Sequence, residues 1–129
     1  MIDFQLDVRS GVAPYVQLVQ QVRHALRLGL LSVGDQLPTV KEVVSKLAIN
    51  PNTVLKAYRE LEHEGLVSPR PGIGTFVTRS LADSTLAAHE PLRQELLQWF
   101  ANAYKAGLDA ESIEALFMTT FRASVGASK

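Results

Sequence analysis

Asn52, Thr53, Lys56, Arg59 and His63 share a spacing that could give them a common task. Wound at about 100° per residue, the run 52–63 gathers Asn52, Lys56, Arg59 and His63 on one side of a helix, with Thr53 on the flank. Val54, Ala57, Tyr58 and Leu61 fall on the other side. An Asn amide donates and accepts at once, which suits the edge of a base. Lys56 and Arg59 suit phosphate oxygens or a guanine, and Asn52 and Thr53 are the residues placed nearest bases. A charged stripe is more often only a solvated face, and Asn52 could simply satisfy the first helical turn. For His63, plain surface exposure outweighs a phosphate contact. In favour of the chemical reading, Glu60 and Glu62 lie towards the flanks, and a helix N-terminus offers free N–H groups to a phosphate or base edge.

The elements that must position this face can be read on either side of it. "FQLDV" alternates and predicts a short edge strand, broken by "SGVAP". Pro14 then opens a helix carrying Tyr15, Leu18, Val19, Val22, Ala25 and Leu26, with Gly29 or Gly34 as its end. "VGDQLPT" predicts a turn and a helix start. Thr39 and Glu42 make a capping box ahead of Val40, Val43, Val44 and Leu47. Only "AIN" separates this short helix from the next, in which Asn50 is the N-cap and Pro51 the first helical residue. Gly65 stops that third helix. "LVSPR", "PGIG" and "TFVTR" predict a β-hairpin. Two helices joined by a short turn form a helix-turn-helix, whose second helix is the one that enters a major groove. A hairpin directly after it is the wing of a winged helix. Arg70, at the hairpin tip, is placed to reach a minor groove or a phosphate. Gly72 and Gly74 make the turn, and for Gly74 that is its whole role. "GIGT" lacks the lysine and helix of a phosphate-binding loop.

The bulk properties set the outer limits. There are 129 residues, 47% of them hydrophobic, no cysteine, and 13 basic against 13 acidic side chains. That suits a folded protein of one domain, or a small domain with an appendage, and excludes disulfides and thiolate chemistry. Balanced charge gives no help to a nucleic-acid binder relying on global charge. No apolar run is long enough to cross a bilayer and no signal peptide is visible, so a cytoplasmic protein without membrane partners is expected. His24, His63 and His89 do not form a metal pattern, and no nucleophile–base set is visible. Neither an enzyme, a metal site nor a cofactor is therefore expected.

"GDQLPTVKEVVSKLAINPNTVLKAYRELEHEGLVSPRPGIGTFV" closely resembles the N-terminal domain of the GntR family of bacterial transcriptional regulators. The Gly-Asp-x-Leu-Pro turn, "AYRELEHEGL" and the Gly-x-Gly-Thr-Phe-Val ending occur in order, and "NPNTVLKAYRELE" is especially like the YtrA subfamily. The resemblance covers residues 12–78. It implies a homodimeric repressor that binds double-stranded DNA and controls a nearby transporter or stress operon. Lys41 falls on the family's phosphate-binding basic position beside Thr39, also a candidate contact. Arg is usual there, and a fork of donors becomes a point charge. The recognition-helix polar positions fall on Asn50, Asn52 and Thr53, and the minor-groove glycine of the wing on Gly72. Relatives often place Arg where Pro51 and Leu55 stand, so their base readout does not transfer.

Residues 79–90 read as a linker entering a helix, which takes shape from Pro91. Leu92, Leu96, Trp99, Phe100 and Ala103 repeat at helical spacing up to Gly107. Asp109 then caps a last helix with Ile113, Leu116, Phe117, Thr120 and Phe121 inside, and "ASVGASK" reads as a frayed end. Two helices cannot bury Trp99, Phe100, Phe117 and Phe121 alone. Packing onto the first helix is one solution. A second copy is the simpler one, through Leu92, Leu96, Trp99, Phe100, Ile113, Leu116, Phe117 and Phe121. A two-fold dimer implies an inverted-repeat operator. The tail is too short for an effector pocket of the usual volume, so the effector stays unknown.

The expected fold is thus mainly α with a small β-hairpin. Residues 1–78 form a winged helix-turn-helix, 79–90 a linker, and 91–129 a short two-helix C-terminal dimerisation tail. The competing reading is a winged-helix module that binds protein.

Overall fold

The computed structural model describes residues 2–82 and 86–127, which fall into two compact units meeting at Ala88 and His89. In the first unit the order is α1 (Pro14–Arg27), α2 (Val40–Leu47), α3 (Pro51–His63), β1 (Val67–Arg70) and β2 (Gly74–Val77). Each helix has one apolar stripe, and the stripes meet in a core built on Leu18, Val22, Leu26, Leu37, Val43, Val54, Leu61, Leu66 and Val77. α3 packs against both α1 and α2. Arg23 of α1 reaches Glu64 just past α3 at 2.6 Å.

The starts of α2 and α3 use different caps. The Thr39 hydroxyl accepts the Glu42 N–H at 3.1 Å and Glu42 Oε1 accepts the Thr39 N–H at 3.2 Å, a complete capping box. Asn50 caps α3 alone, its side-chain oxygen accepting the Asn52 N–H at 2.8 Å, with Pro51 behind it at the first helical position. The turn between them is tight because Ala48 takes a left-handed conformation, φ 53°, unusual for a residue with a Cβ.

β1 and β2 pair antiparallel, with Val67 opposite Val77 and Arg70 opposite Gly74. Pro71 and Gly72 stand at the two central positions of the turn closed by the Ile73 N–H on the Arg70 carbonyl at 2.9 Å. Gly72 has φ +76°, as the third residue of a type II turn requires. The segment read as a plain turn, "GDQLP", does more. It lies along the free side of β2, where Leu37 N–H donates to the Thr75 carbonyl and Val77 N–H to the Asp35 carbonyl. The wing is thereby fastened to the residues that lead into α2.

"FQLDV" is not a strand. It lies along α1, and among the described residues no strand pairs with it. Gln17 and Gln21, four apart and so on one face of α1, use their amides instead. Gln21 exchanges two hydrogen bonds with the backbone of Gln5, and Gln17 does the same with Asp7. Phe4 enters the core, and Asp3 pairs with Lys46 of α2.

The second unit is a helical hairpin. α4 (Leu86–Lys105) begins five residues ahead of Pro91, which lies inside it. Its neighbours continue the helix through the one N–H that Pro91 cannot supply. Residues 83–85 of the linker lie outside the described residues. α5 (Ala110–Ala127) continues through most of "ASVGASK", which is helical up to Ala127; Ser128 and Lys129 lie outside the described residues. Gly107, φ +92°, turns the chain, and the Asp109 carboxylate caps α5 by accepting the Ser112 N–H at 2.8 Å. That bond, helped by the Ser112 side chain, holds the Asp109 carboxyl below its ordinary range.

Candidate nucleic-acid interface

Burial divides α3 cleanly. Val54, Ala57 and Leu61 are fully buried and Tyr58 nearly so, while Asn52, Lys56, Arg59 and His63 are exposed and Thr53 is half-buried. Asn52 keeps its side chain out of the cap, because Asn50 has taken that role. Among the described residues, the amide of Asn52 and the hydroxyl of Thr53 have no intramolecular hydrogen bond. α3 has no acidic residue in its first turn, so no side-chain charge there opposes the positive end of its dipole.

The cations near this face differ from those that staple the fold. Arg23 and Lys46 are in ion pairs with Glu64 and Asp3. Lys41, Lys56, Arg59 and Arg70 form none among the described residues. Lys56 lies over the Tyr15 ring at 4.0 Å, and Arg70 over the Phe76 ring at 4.2 Å. Both contacts leave the charge unneutralised. Tyr15, read as a core residue, is indeed half-buried against the core, but its ring also supports Lys56. Lys41 and Thr39 are exposed at the start of α2, and the Thr39 hydroxyl, accepting in the capping box, keeps its own proton to give. Arg70 and Gly72 are exposed at the wing.

Gln36 was missed in sequence, and so was a second role for the core residue Tyr58; each works through a long-range contact. Gln36 pairs with Phe76 along β2, and its amide donates to the Ile73 carbonyl at 3.2 Å, bracing the wing tip. A Cβ on Gly74 would sit 2.4 Å from that amide, so Gly74 makes room for Gln36 as well as the turn. Tyr58 donates its hydroxyl to the Pro38 carbonyl at 2.6 Å, tying α3 to the start of α2. Burial raises its phenol far above the usual range, and the Glu42 charge adds to this. The periodicity of α3 marked Tyr58 as core but not as a strut between two candidate contact elements.

The second unit presents an apolar surface. Trp99, Phe100 and Phe117 have ring centroids 5.4–6.3 Å apart, and Phe117 stacks on Phe121 at 6.2 Å. Leu92, Leu116 and Phe121 are 66%, 46% and 54% exposed, and Leu96 is also exposed. An open cavity of about 420 Å³ lies among Leu96, Trp99, Leu116, Phe117, Thr120, Phe121 and Ser124. Ile113, read on the inner face of the last helix, is buried, as is Ala103. No helix among the described residues is long and apolar enough to cross a membrane.

Residues 14–77, α1 through β2, match the family described as bacterial regulatory proteins, gntR family. The HTH-type transcriptional repressor YtrA of Bacillus subtilis is 36% identical over 111 residues, covering 84% of this chain and 85% of that protein. The chain belongs to the gntR family. This gntR-family chain also resembles solved structures along most of its length. A transcriptional regulator from Oenococcus oeni is 35% identical with a TM-score of 0.51, covering 92% of this chain and 99% of that one. YtrA from Sulfolobus acidocaldarius, a GntR-family transcription factor, is 28% identical with a TM-score of 0.55, covering 76% of this chain and 97% of that one. The protein is therefore a YtrA-like transcriptional regulator with a DNA-binding winged helix-turn-helix followed by an all-helical part. Its family is one of regulators rather than enzymes.

Proposed function

We propose that this regulator is a homodimeric repressor that binds an inverted-repeat operator. α3 enters the major groove, with Asn52, Thr53 and Asn50 towards bases and Lys56 and Arg59 towards phosphates or a guanine. Thr39 and Lys41 hold a phosphate at the start of α2. Arg70 and Gly72 of the wing meet the minor groove or its flanking phosphates. Residues 1–78 are the DNA-binding part. The segment 79–90, helical from Leu86, leads to a dimerisation tail at 91–129.

One observation carries this reading: α3 buries its apolar stripe completely and turns outward a polar, basic face whose Asn52 and Thr53 side chains engage nothing else among the described residues. Dimerisation is supported by the apolar surface of Leu92, Leu96, Leu116 and Phe121 beside the aromatic group Trp99, Phe100 and Phe117. Ile113 supports that surface from beneath. Repression is supported by the likeness to the repressor YtrA of Bacillus subtilis.

The test is selection of duplexes from randomised DNA by the full chain, followed by binding across a salt series. Recovered sequences should contain an inverted repeat, and log K should fall steeply with log salt. Recovery of no common sequence, with binding insensitive to salt, would favour the protein-interaction reading instead.

A further inference from the structure

Lys56 is the cation nearest the middle of the outward face of α3, and a long flexible side chain at such a place loses rotamer freedom when it grips a phosphate. In this structure that freedom is already restricted. The Lys56 ammonium sits 4.0 Å from the centroid of Tyr15, in the first turn of α1. Tyr15 is half-buried against the core, so its ring is a fixed support. A lysine on a helix leans towards the helix N-terminus, here the end that carries Asn50 and Asn52. The wing repeats the arrangement, with Arg70 over Phe76 at 4.2 Å. Unlike a carboxylate partner, an aromatic face leaves the full positive charge available to a phosphate.

We infer that Tyr15 is a positioning residue for DNA binding: its ring holds the Lys56 ammonium, charged and extended, at the contact face of α3. This rests on the reading of α3 as the DNA-contacting helix. Tyr15 itself acts only through Lys56. Removing the ring therefore leaves the number of phosphate contacts unchanged and lowers affinity, whereas removing Lys56 lowers both.

A double-mutant cycle on a duplex recovered by selection separates these effects. Tyr15→Leu should weaken binding by roughly two- to fivefold, the size of an exposed cation–π contact, with the salt slope of the wild type. Tyr15→Phe should bind as wild type. Lys56→Ala should flatten the slope by about one for each α3 engaged, and adding Tyr15→Leu to it should change nothing further. A direct signature needs no DNA: the Lys56 ε-methylene protons should be shifted upfield by the ring in the wild type and Tyr15→Phe, and not in Tyr15→Leu. Equal losses from Tyr15→Leu with and without Lys56 overturn the inference, since Tyr15 would then act through core packing. Tighter binding by Tyr15→Leu also overturns it, because the ring would then hold Lys56 away from DNA. An absent upfield shift does the same. If Lys56→Ala binds with wild-type affinity and slope, the reading of α3 fails first, and this inference with it.

Discussion

At the scale of single residues, Asn52 and Tyr58 stand on the two faces of α3, one exposed and one tied into the fold. Asn52 has an unengaged amide at the exposed start of the helix. Asn52→Ala should lower discrimination against one altered base pair by about 1–3 kcal/mol and leave non-specific binding nearly unchanged. Competition between the selected duplex and single-site variants measures this. Tyr58 donates to a buried carbonyl 2.6 Å away. Tyr58→Phe should cost about 1–3 kcal/mol of stability in urea unfolding, because the Pro38 carbonyl is left without its donor. The raised phenol has a pH consequence. Its folded pKa lies above the unfolded value, so its contribution is complete below about pH 10 and is lost as pH rises beyond that. Tyr58→Phe should therefore remove part of the alkaline loss of stability seen in the wild type.

At the scale of elements, the local signals of the chain were readable. The capping box of α2, the Asn-Pro start of α3 and the Gly-containing wing turn each combine residues a few positions apart, and each formed where expected. Thr39→Ala should cost about 1 kcal/mol of stability by opening that box, as read by denaturant unfolding. What failed was non-local. The alternation of "FQLDV" was real, but a strand needs a neighbouring strand, and the partners of this arm are the glutamine side chains of α1. The linker 79–90 reads as entering a helix, and α4 runs from Leu86 with Pro91 inside it. Of the candidate interface, exposure and helix face were legible at Asn52, Lys56 and Arg59. The supports at Tyr15, Gln36 and Pro38 were not, since they come from distant segments brought together by folding.

At the scale of the whole molecule, the exposed apolar surface of the helical hairpin fits assembly. Leu116→Glu and Phe121→Glu replace exposed side chains, so each subunit should keep its fold. In sedimentation the double variant should run as a monomer where the wild type runs as a dimer. Losing the linkage between two binding units should weaken operator binding by roughly a hundredfold or more. A variant that stays dimeric with wild-type affinity would place the subunit contact elsewhere.

The cap of α3 also limits what can be read beside it. The side-chain amide oxygen of Asn50 already accepts the Asn52 N–H, so its two amide hydrogens are the groups the cap leaves unused. Under the proposed reading of α3, the donors left over from the cap suit a phosphate oxygen, a purine N7 or a thymine O4 better than the amino group of cytosine. Asn50→Asp should keep the helix start intact yet exchange the two donors for an acceptor, so binding to the selected duplex should weaken and renewed selection should shift any base preference there towards an amino group, such as that of cytosine.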